Sequence, residues 1–405
     1  MTELPVDQLL SVDQAIAILD AVALQPGIES RSLLDATGLR LAEDIFSDRD
    51  YPPFDKSVMD GYAIRAADAA ETGVRLNVVH TIAAGQVGTR AIQPGEAIKI
   101  MTGAPLPVGA DAVVPVEQTM RDGDYVILHR SATVGNAIAK RGSDTPSNRL
   151  LLGKGARLGP AQIGVAASVG KSTVSVYAVP TVALLSTGDE IVEMDQTPAG
   201  SQIRNSNGPM MTALLLQLGC RVKNLGIVRD DPAVIRSAIE IGLDSDAVFI
   251  TGGMSMGEHD HVPGLLGELG MELKISKLRI KPGKPFVFAA GRREIGNPKM
   301  AFGLPGNPVS AFVCTIRLAG RILTRLAGRT PEQTLRQAKL TDDLPPNGPR
   351  ELYLPAIATD DRIQPLHPNG SADLFTLAQA NSLIVRPENA PAAAAGVTVP
   401  VIFLT

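Results

Sequence analysis

Residues 246–261 read DAVFITGGMSMGEHDH, an apolar run that breaks into two glycines and then into acids and histidines. A strand buried on both faces of a sheet reads as an unbroken apolar run, and in open α/β sheets ligands sit beyond the carboxyl ends of the strands. The stretch therefore predicts a buried strand that delivers Thr251, Gly252, Gly253, Ser255, Glu258 and Asp260 to a site.

The flanking sequence repeats the pattern. Between 181 and 328, TVALLST, RVKNLGIV, PFVFAA and MAFGL are further strand candidates, while GPMMTALLLQLG, DPAVIRSAIEIGL, HVPGLLGELG and NPVSAFVCTIRLAGRILTRLAG carry helical spacing. Strands alternating with helices predict a mostly parallel sheet covered on both faces, a three-layer α/β core. Upstream, SVDQAIAILDAV (11–22) predicts a helix capped by Ser11 or Asp13. Residues 46–149 are short apolar runs cut by Pro and Gly, which predicts a β-rich insert. The stretch 150–180 reads as a helix and a connecting strand that can fold back on the N-terminal helix. From 329 to 405 the helices stop and Pro-punctuated strands return as a small β domain. The whole is a multidomain α/β plus β chain.

Composition limits what the site can take. Among 405 residues, 38 Lys plus Arg face 42 Asp plus Glu, and the net charge of −4 is too balanced for a dedicated nucleic-acid binder. Aromatics at 3% with no Trp leave little for base stacking. Cys220 and Cys314 lie far apart in apolar contexts, which points to buried thiols in a reducing cytoplasm. No run approaches the roughly 18 apolar residues of a membrane span, and the N-terminus has no targeting pattern, so a soluble, cytoplasmic chain is expected.

Three strand candidates end in acids: TVALLST in Asp189 and Glu190, RVKNLGIV in Asp230 and Asp231, DAVFIT in the opening segment. Acids gathered on one edge can hold Mg²⁺ through one or two carboxylates with water and substrate phosphate. Each acid taken alone is also a normal helix cap. In KISKLRIKPGKPFVF (274–288), Lys277, Lys281 and Lys284 surround a proline-stiffened turn and can act as point charges on an oxyanion. In GLPGNPVSAF (303–312), Pro305, Asn307 and Ser310 open the longest helix, whose N-terminal N–H groups can meet an anion. The alternative is a tight turn with Pro308 at the first helical position.

Other signals fail on spacing. GVAASVGKS (164–172) has five residues between Gly164 and Gly170 where a phosphate loop needs four, and no GxGxxG opens a βα unit. His259 and His261 do not complete a zinc set, and one of them fits a helix start better. In the N-terminal half, PPFDKSVMDGYAIRAADA (52–69), IMTGAPLPVGADAVVPVEQT (100–119) and RGSDTP (141–146) place Asp55, Ser57, Asp60, Thr102, Gly103 and Asp144 on turn-rich segments.

In combination, PPFDKSVMDGYA, MTGAPLPVGADAVVPVE, LLSTGDEI, ITGGMSMGEHDH, IKPGKPFVF and GLPGNPVSAFV resemble, in this order, the molybdopterin molybdenumtransferase family, relatives of the gephyrin E domain. The resemblance runs from about 10 to 400. It implies four parts: an elongated linker and dimerisation segment (1–45 and 150–180), a β-rich insert (46–149), an α/β molybdopterin-binding core (181–328) and a small barrel-like β domain (329–405). It implies a homodimer whose site lies between the core of one subunit and the insert of the other. The implied reaction inserts molybdenum from molybdate into adenylylated molybdopterin with Mg²⁺, releasing AMP. Implied partners are the molybdopterin adenylyltransferase and molybdoenzyme-maturation proteins.

In these terms Asp60, Thr102, Asp144, Glu190, Asp230, Asp260, Lys277 and Lys281 carry the reaction, with Glu190 and Asp260 on the metal. Thr251, Gly252, Gly253, Ser255, Lys284, Pro305, Asn307, Ser310 and Ser371 bind substrate. Ser371 stands in HPNGSADLFTLAQANSLIVRPE (367–388), where Ala372 replaces the family's frequent His; Lys56 replaces its frequent Asn. A molybdopterin adenylyltransferase shares the core but lacks both the insert and the C-terminal domain. A gephyrin-type scaffold calls for partner-binding linkers, and acids at strand ends have no purpose in one.

Overall fold

The structure is a computed structural model describing residues 9–86, 88–254, 261–331 and 335–404. Two compact units divide the chain, one built from the residues up to Ser30 and from Ser175 onward, the other from Arg31–Val174.

In the first unit a six-stranded sheet contains Thr181–Thr187 (β1), Arg221–Val228 (β2), Ala247–Thr251 (β3), Met271–Ile275 (β4), Val287–Gly291 (β5) and Lys299–Leu304 (β6), in the order β2-β1-β3-β6-β5-β4. Strands β2, β1, β3 and β6 run parallel, and β5 is antiparallel to its neighbours β6 and β4. The mostly parallel sheet is as the apolar runs predict. Side chains alternate across it: Val182, Leu184, Ala247 and Phe249 join one apolar cluster, while Ala183, Leu185, Val248 and Ile250 join another.

Helices complete both clusters. Val12–Asp20 (α1), Asn207–Gln217 (α2) and a helical run over 308–326 supply the first, in which Phe302 meets Phe249 in a tilted pair at 4.9 Å and Phe288 in a stacked one at 5.0 Å. Pro232–Gly242 (α3) and Val262–Glu268 (α4) supply the second. Each buried Phe contributes about 2 kcal/mol of transfer free energy. The chain leaves β1 through α2 to β2 on one side, then passes through α3 to β3 on the other. Strand order thus reverses between β1 and β3, where α/β sheets open a crevice at the carboxyl edge.

Helix α1 forms where its spacing predicts. Ser11 is the cap: its Oγ accepts from the Gln14 N–H at 3.1 Å, and its own N–H donates to Gln14 Oε1 at 2.8 Å. The partner of α1 differs from expectation. Val12, Ala15 and Leu19 are buried in the core of the first unit, and the 150–180 stretch instead pairs with the segment after α1, as in Leu150–Leu152 on Ile45–Phe46. The apolar stripe of α1 packs into the same cluster as the 308–326 helix, which Arg321 joins to Asp20 at 2.6 Å.

The C-terminal strands Arg336–Leu340, Glu351–Thr359, Arg362–Pro365, Ser382–Arg386 and Thr398–Phe403 close on themselves, because Glu351–Thr359 pairs with both Arg362–Pro365 and Ser382–Arg386. A short helix, Leu374–Leu377, interrupts this otherwise β region. The two-residue strand Ile280–Lys281 pairs in parallel with Glu351–Leu352, drawing the lysine turn against the barrel.

The second unit centres on a six-stranded sheet ordered Ala112–Pro115, Gly61–Ile64, Glu96–Ile100, Arg75–Ile82, Tyr125–Leu128, Thr119–Asp122. Period-two alternation again divides its core: Tyr62 and Ile64 face one cluster, Ala63 and Ile98 the other. Among the described residues no helix is long and apolar enough to cross a membrane.

Candidate functional site

Four parallel strands end on one edge of the first unit's sheet. Beyond β1 come Gly188, Asp189 and Glu190; beyond β2, Asp230 and Asp231; beyond β3, Gly252 and Gly253; beyond β6, Pro305, Gly306 and Asn307. Gly252 and Gly253 have φ of +96° and +66°, and a Cβ on Gly252 would meet the Thr187 carbonyl oxygen at 2.4 Å. Only glycine permits this approach.

The acids divide by task. Asp231 caps α3, accepting from the N–H groups of Ala233 at 2.8 Å and Val234 at 3.1 Å, so the capping alternative holds for this residue. Asp230 and Asp189 line one cavity of about 740 Å³. Burial pushes the Asp230 carboxyl above the usual carboxylate range, and the charges of Asp189 and Glu190 add to this, while a backbone hydrogen bond with Asp189 and the nearby His261 act against it. Glu190 folds its carboxylate over Gly188, where a Cβ would lie 2.7 Å from it. His261 occupies the start of α4. Ser255 and Asp260 lie outside the described residues.

A second cleft, of about 520 Å³, collects residues from three distant segments: Lys281 and Lys284, Pro305, Asn307 and Ser310, and Ser371. Asn307 Nδ2 donates to Ser371 Oγ at 2.7 Å, and the Val309 N–H donates to the Ser371 carbonyl at 3.2 Å. One of the helix N–H groups expected to meet an anion is thus already bonded, and Pro308 takes the first helical position. Lys277 does not line this cleft. Thr251 is buried and turns its hydroxyl inward to Ser186 Oγ at 3.0 Å.

Arg350 and His367 also line the cleft and are not predicted from the sequence. Arg350 directly precedes the strand that pairs with Ile280–Lys281, and its only local signal is a basic residue after an Asn-Gly-Pro turn. Lys281 and Arg350 form no ion pair among the described residues, so both charges remain available for an anion.

In the second unit, Asp60 Oδ1 accepts from both the N–H and the hydroxyl of Thr102, each at 2.7 Å. These hydrogen bonds hold the Asp60 carboxyl below the usual carboxylate range. Asp55 ties the neighbouring segments together. Its carboxylate accepts from Lys140 Nζ at 2.8 Å and the Arg141 N–H at 2.9 Å, and its carbonyl from the Leu106 N–H at 2.8 Å. Asp144 is exposed on the loop after Arg141, its N–H donating to the Tyr51 carbonyl at 2.9 Å.

Comparison with known proteins agrees along the chain. Residues 10–170 match the MoeA N-terminal region (domain I and II), 183–324 the probable molybdopterin binding domain, and 337–404 the MoeA C-terminal region (domain IV). The molybdopterin molybdenumtransferase of Bacillus subtilis is 31% identical, covering 98% of this chain and 94% of that protein. That of a Nostoc species is 33% identical, over 90% and 86%. The crystal structure of a molybdopterin biosynthesis moea protein from Pyrococcus horikosii superposes with a TM-score of 0.85 at 32% identity, covering 98% of this chain and all of that one. The chain belongs to the molybdopterin molybdenumtransferase family.

Proposed function

We propose that the protein inserts molybdenum, supplied as molybdate, into the dithiolene of adenylylated molybdopterin, releasing AMP and molybdenum cofactor. One observation carries the reading: Lys281, Lys284 and Arg350 converge with Ser310 and Ser371 on one cleft beside the carboxyl edge of a parallel sheet. A tetrahedral dianion is bound by fixed positive charge and hydroxyl donors, and Arg adds a planar fork that can engage two of its oxygens. Cleavage of the phosphoanhydride needs positioning and charge neutralisation rather than a covalent nucleophile, and the lysines are placed to supply both.

The donor set also suits Mg²⁺. Among the described residues no group of three or more metal-binding side chains is preformed, yet Asp189 and Glu190 stand near enough to Asp230 for their charges to add to the burial that raises its carboxyl, which places hard oxygen donors close together. Magnesium typically takes one or two carboxylates and completes its shell with water and substrate phosphate. We assign Glu190 and Asp230 to hold it, with Asp260 as a further candidate; when bound, it would screen phosphate charge. Asp60, fixed by Thr102, and Asp144 are proposed to act on substrate from the insert.

We further propose a homodimer, supported by the exposed Phe54, Val58 and Met59 beside Asp60, which favour burial against a second copy. A cytoplasmic setting suits Cys220 and Cys314, both buried free thiols. The molybdopterin adenylyltransferase would supply the substrate, and molybdoenzyme-maturation proteins would take the product. A four-domain division at 1–45 with 150–180, 46–149, 181–328 with a three-layer core, and 329–405 is supported by the separate sheets.

The test is to incubate the purified protein with adenylylated molybdopterin, Mg²⁺ and molybdate and to assay AMP and cofactor. Molybdate-dependent AMP release is expected; release that ignores molybdate overturns the assignment.

A further inference from the structure

Among the described residues, two polar atoms at the carboxyl edge of the first unit's sheet are buried without a hydrogen-bond partner: Thr187 Oγ1, in a residue 2% exposed, and Asn207 Oδ1, in one 7% exposed. Buried polar atoms are nearly always paired, and leaving one unpaired costs stability. Their position explains why these two are not. Thr187 ends β1 and faces the end of β3, at the point where strand order reverses. Asn207 opens α2, the helix that follows β1.

Contacts between glycine backbones link the two atoms. Gly252 lies against Thr187, a Cβ there meeting Thr187 Oγ1 at 2.9 Å. Gly306 lies against Gly252, a Cβ on Gly306 falling 3.8 Å from the Gly252 Cα. Asn207 completes the circuit by donating from Nδ2 to the Gly306 carbonyl at 2.6 Å, which fixes its amide with Oδ1 as the atom left over. Glycine carries no side chain to cover this edge, and two orphan atoms on it can serve the hydrogen-bonding edge of a flat ring. Asn207 Oδ1 can only accept, so the ring must present an N–H or NH₂ to it; the Thr187 hydroxyl can donate or accept.

We infer that Thr187 and Asn207 bind the pterin ring of the substrate, selecting it through the N–H-bearing edge of its pyrimidine. This rests on the reading of the substrate as adenylylated molybdopterin, which carries two flat heterocycles. Adjacency decides between them. Gly306 lies against Gly252, while its neighbours Pro305 and Asn307 line the lysine cleft assigned to molybdate. The dithiolene that receives molybdenum is on the pterin side of the phosphates, so the ring beside molybdate is the pterin, and adenine lies beyond the phosphates.

Thr187→Val tests this, because it keeps the shape and removes only the orphan hydroxyl. Binding of adenylylated molybdopterin and of AMP is measured by calorimetry, together with thermal unfolding and the KM for molybdate. The expected result is roughly tenfold weaker binding of adenylylated molybdopterin, the loss of one hydrogen bond. AMP affinity and the KM for molybdate stay unchanged, and the unfolding midpoint rises because no unpaired hydroxyl is buried. Thr187→Ser, which keeps the hydroxyl, restores substrate affinity. Unchanged substrate affinity in Thr187→Val, an equal loss for AMP, or a lowered unfolding midpoint overturns the inference while the transferase reading stands. A wild-type protein that does not bind adenylylated molybdopterin overturns both.

Discussion

Asn307 and Ser371, which lie 64 positions apart, are joined by a 2.7 Å hydrogen bond from Asn307 Nδ2 to Ser371 Oγ. The bond fastens a loop of the C-terminal domain onto the first turn of the helix that follows β6, and so holds one wall of the lysine cleft. Ser371 thereby has a positioning partner besides the ligand role proposed for it. Ser371→Ala and Asn307→Ala are each expected to raise the KM for molybdate several-fold, about 1 kcal/mol for one hydrogen bond. The double variant should cost less than the sum, since both remove the same bond. Steady-state AMP release across the four proteins measures this, and full additivity would show that the two side chains act separately.

Charge in the cleft gives a sharper prediction. Lys281→Ala and Arg350→Ala each remove a cation that has no ion-pair partner among the described residues. Each should lower kcat/KM for molybdate by about 30-fold or more, equivalent to ~2 kcal/mol for a charge-assisted contact. Arg350→Lys should recover only part of the loss, because an ammonium lacks the planar fork. Full recovery by Lys would mean that Arg350 supplies charge alone.

The uneven legibility of these residues has a physical cause. Strand β3 and the glycines after it are readable because burial on both faces and left-handed φ leave a local imprint, an apolar run followed by Gly252 and Gly253. The lysine turn is readable because prolines flank it. Arg350 is not, because it reaches the cleft only through the pairing of Ile280–Lys281 with Glu351–Leu352, some 70 residues away in sequence, and strand pairing of that range has no local signature. Helix α1 shows the same limit: its cap and stripe are local, but the surface it covers is not. Thr187 and Asn207 read as a strand end and a helix start, and only packing reveals that their polar atoms are unpaired.

The glycine turn after β3 should be intolerant of any side chain. Gly252→Ala combines φ +96° with a Cβ placed 2.4 Å from the Thr187 carbonyl oxygen, and relief requires backbone movement. A loss of about 3 kcal/mol or more is expected. Gly219, also in the first unit, has φ +85° but nothing within 4 Å of where a Cβ would stand, so Gly219→Ala should cost only about 1 kcal/mol, the conformational part alone. Urea unfolding of the two variants separates collision from strain, and equal losses would show that the close approach at Gly252 relaxes at no cost.

Acid should loosen the second unit through Asp55. The hydrogen bond from Lys140 Nζ, and next the Arg141 N–H, hold its carboxyl below the ordinary value of 3.8. A depressed folded-state pKa means that the native state binds fewer protons than the unfolded one, so the contribution is present above the ordinary value and is lost as pH falls through the lowered one. Asp55 is partly exposed and Lys140 more so, and solvent screens the pair, which keeps the effect small. In Asp55→Asn this part of the pH dependence disappears: wild type should exceed the variant in stability at pH 6, and the gap should close below pH ~4. Urea midpoints of the two proteins from pH 3 to 7 give the comparison. A gap that stays constant over that range would assign the role of Asp55 to its geometry, through the Leu106 N–H on its carbonyl, and not to its charge.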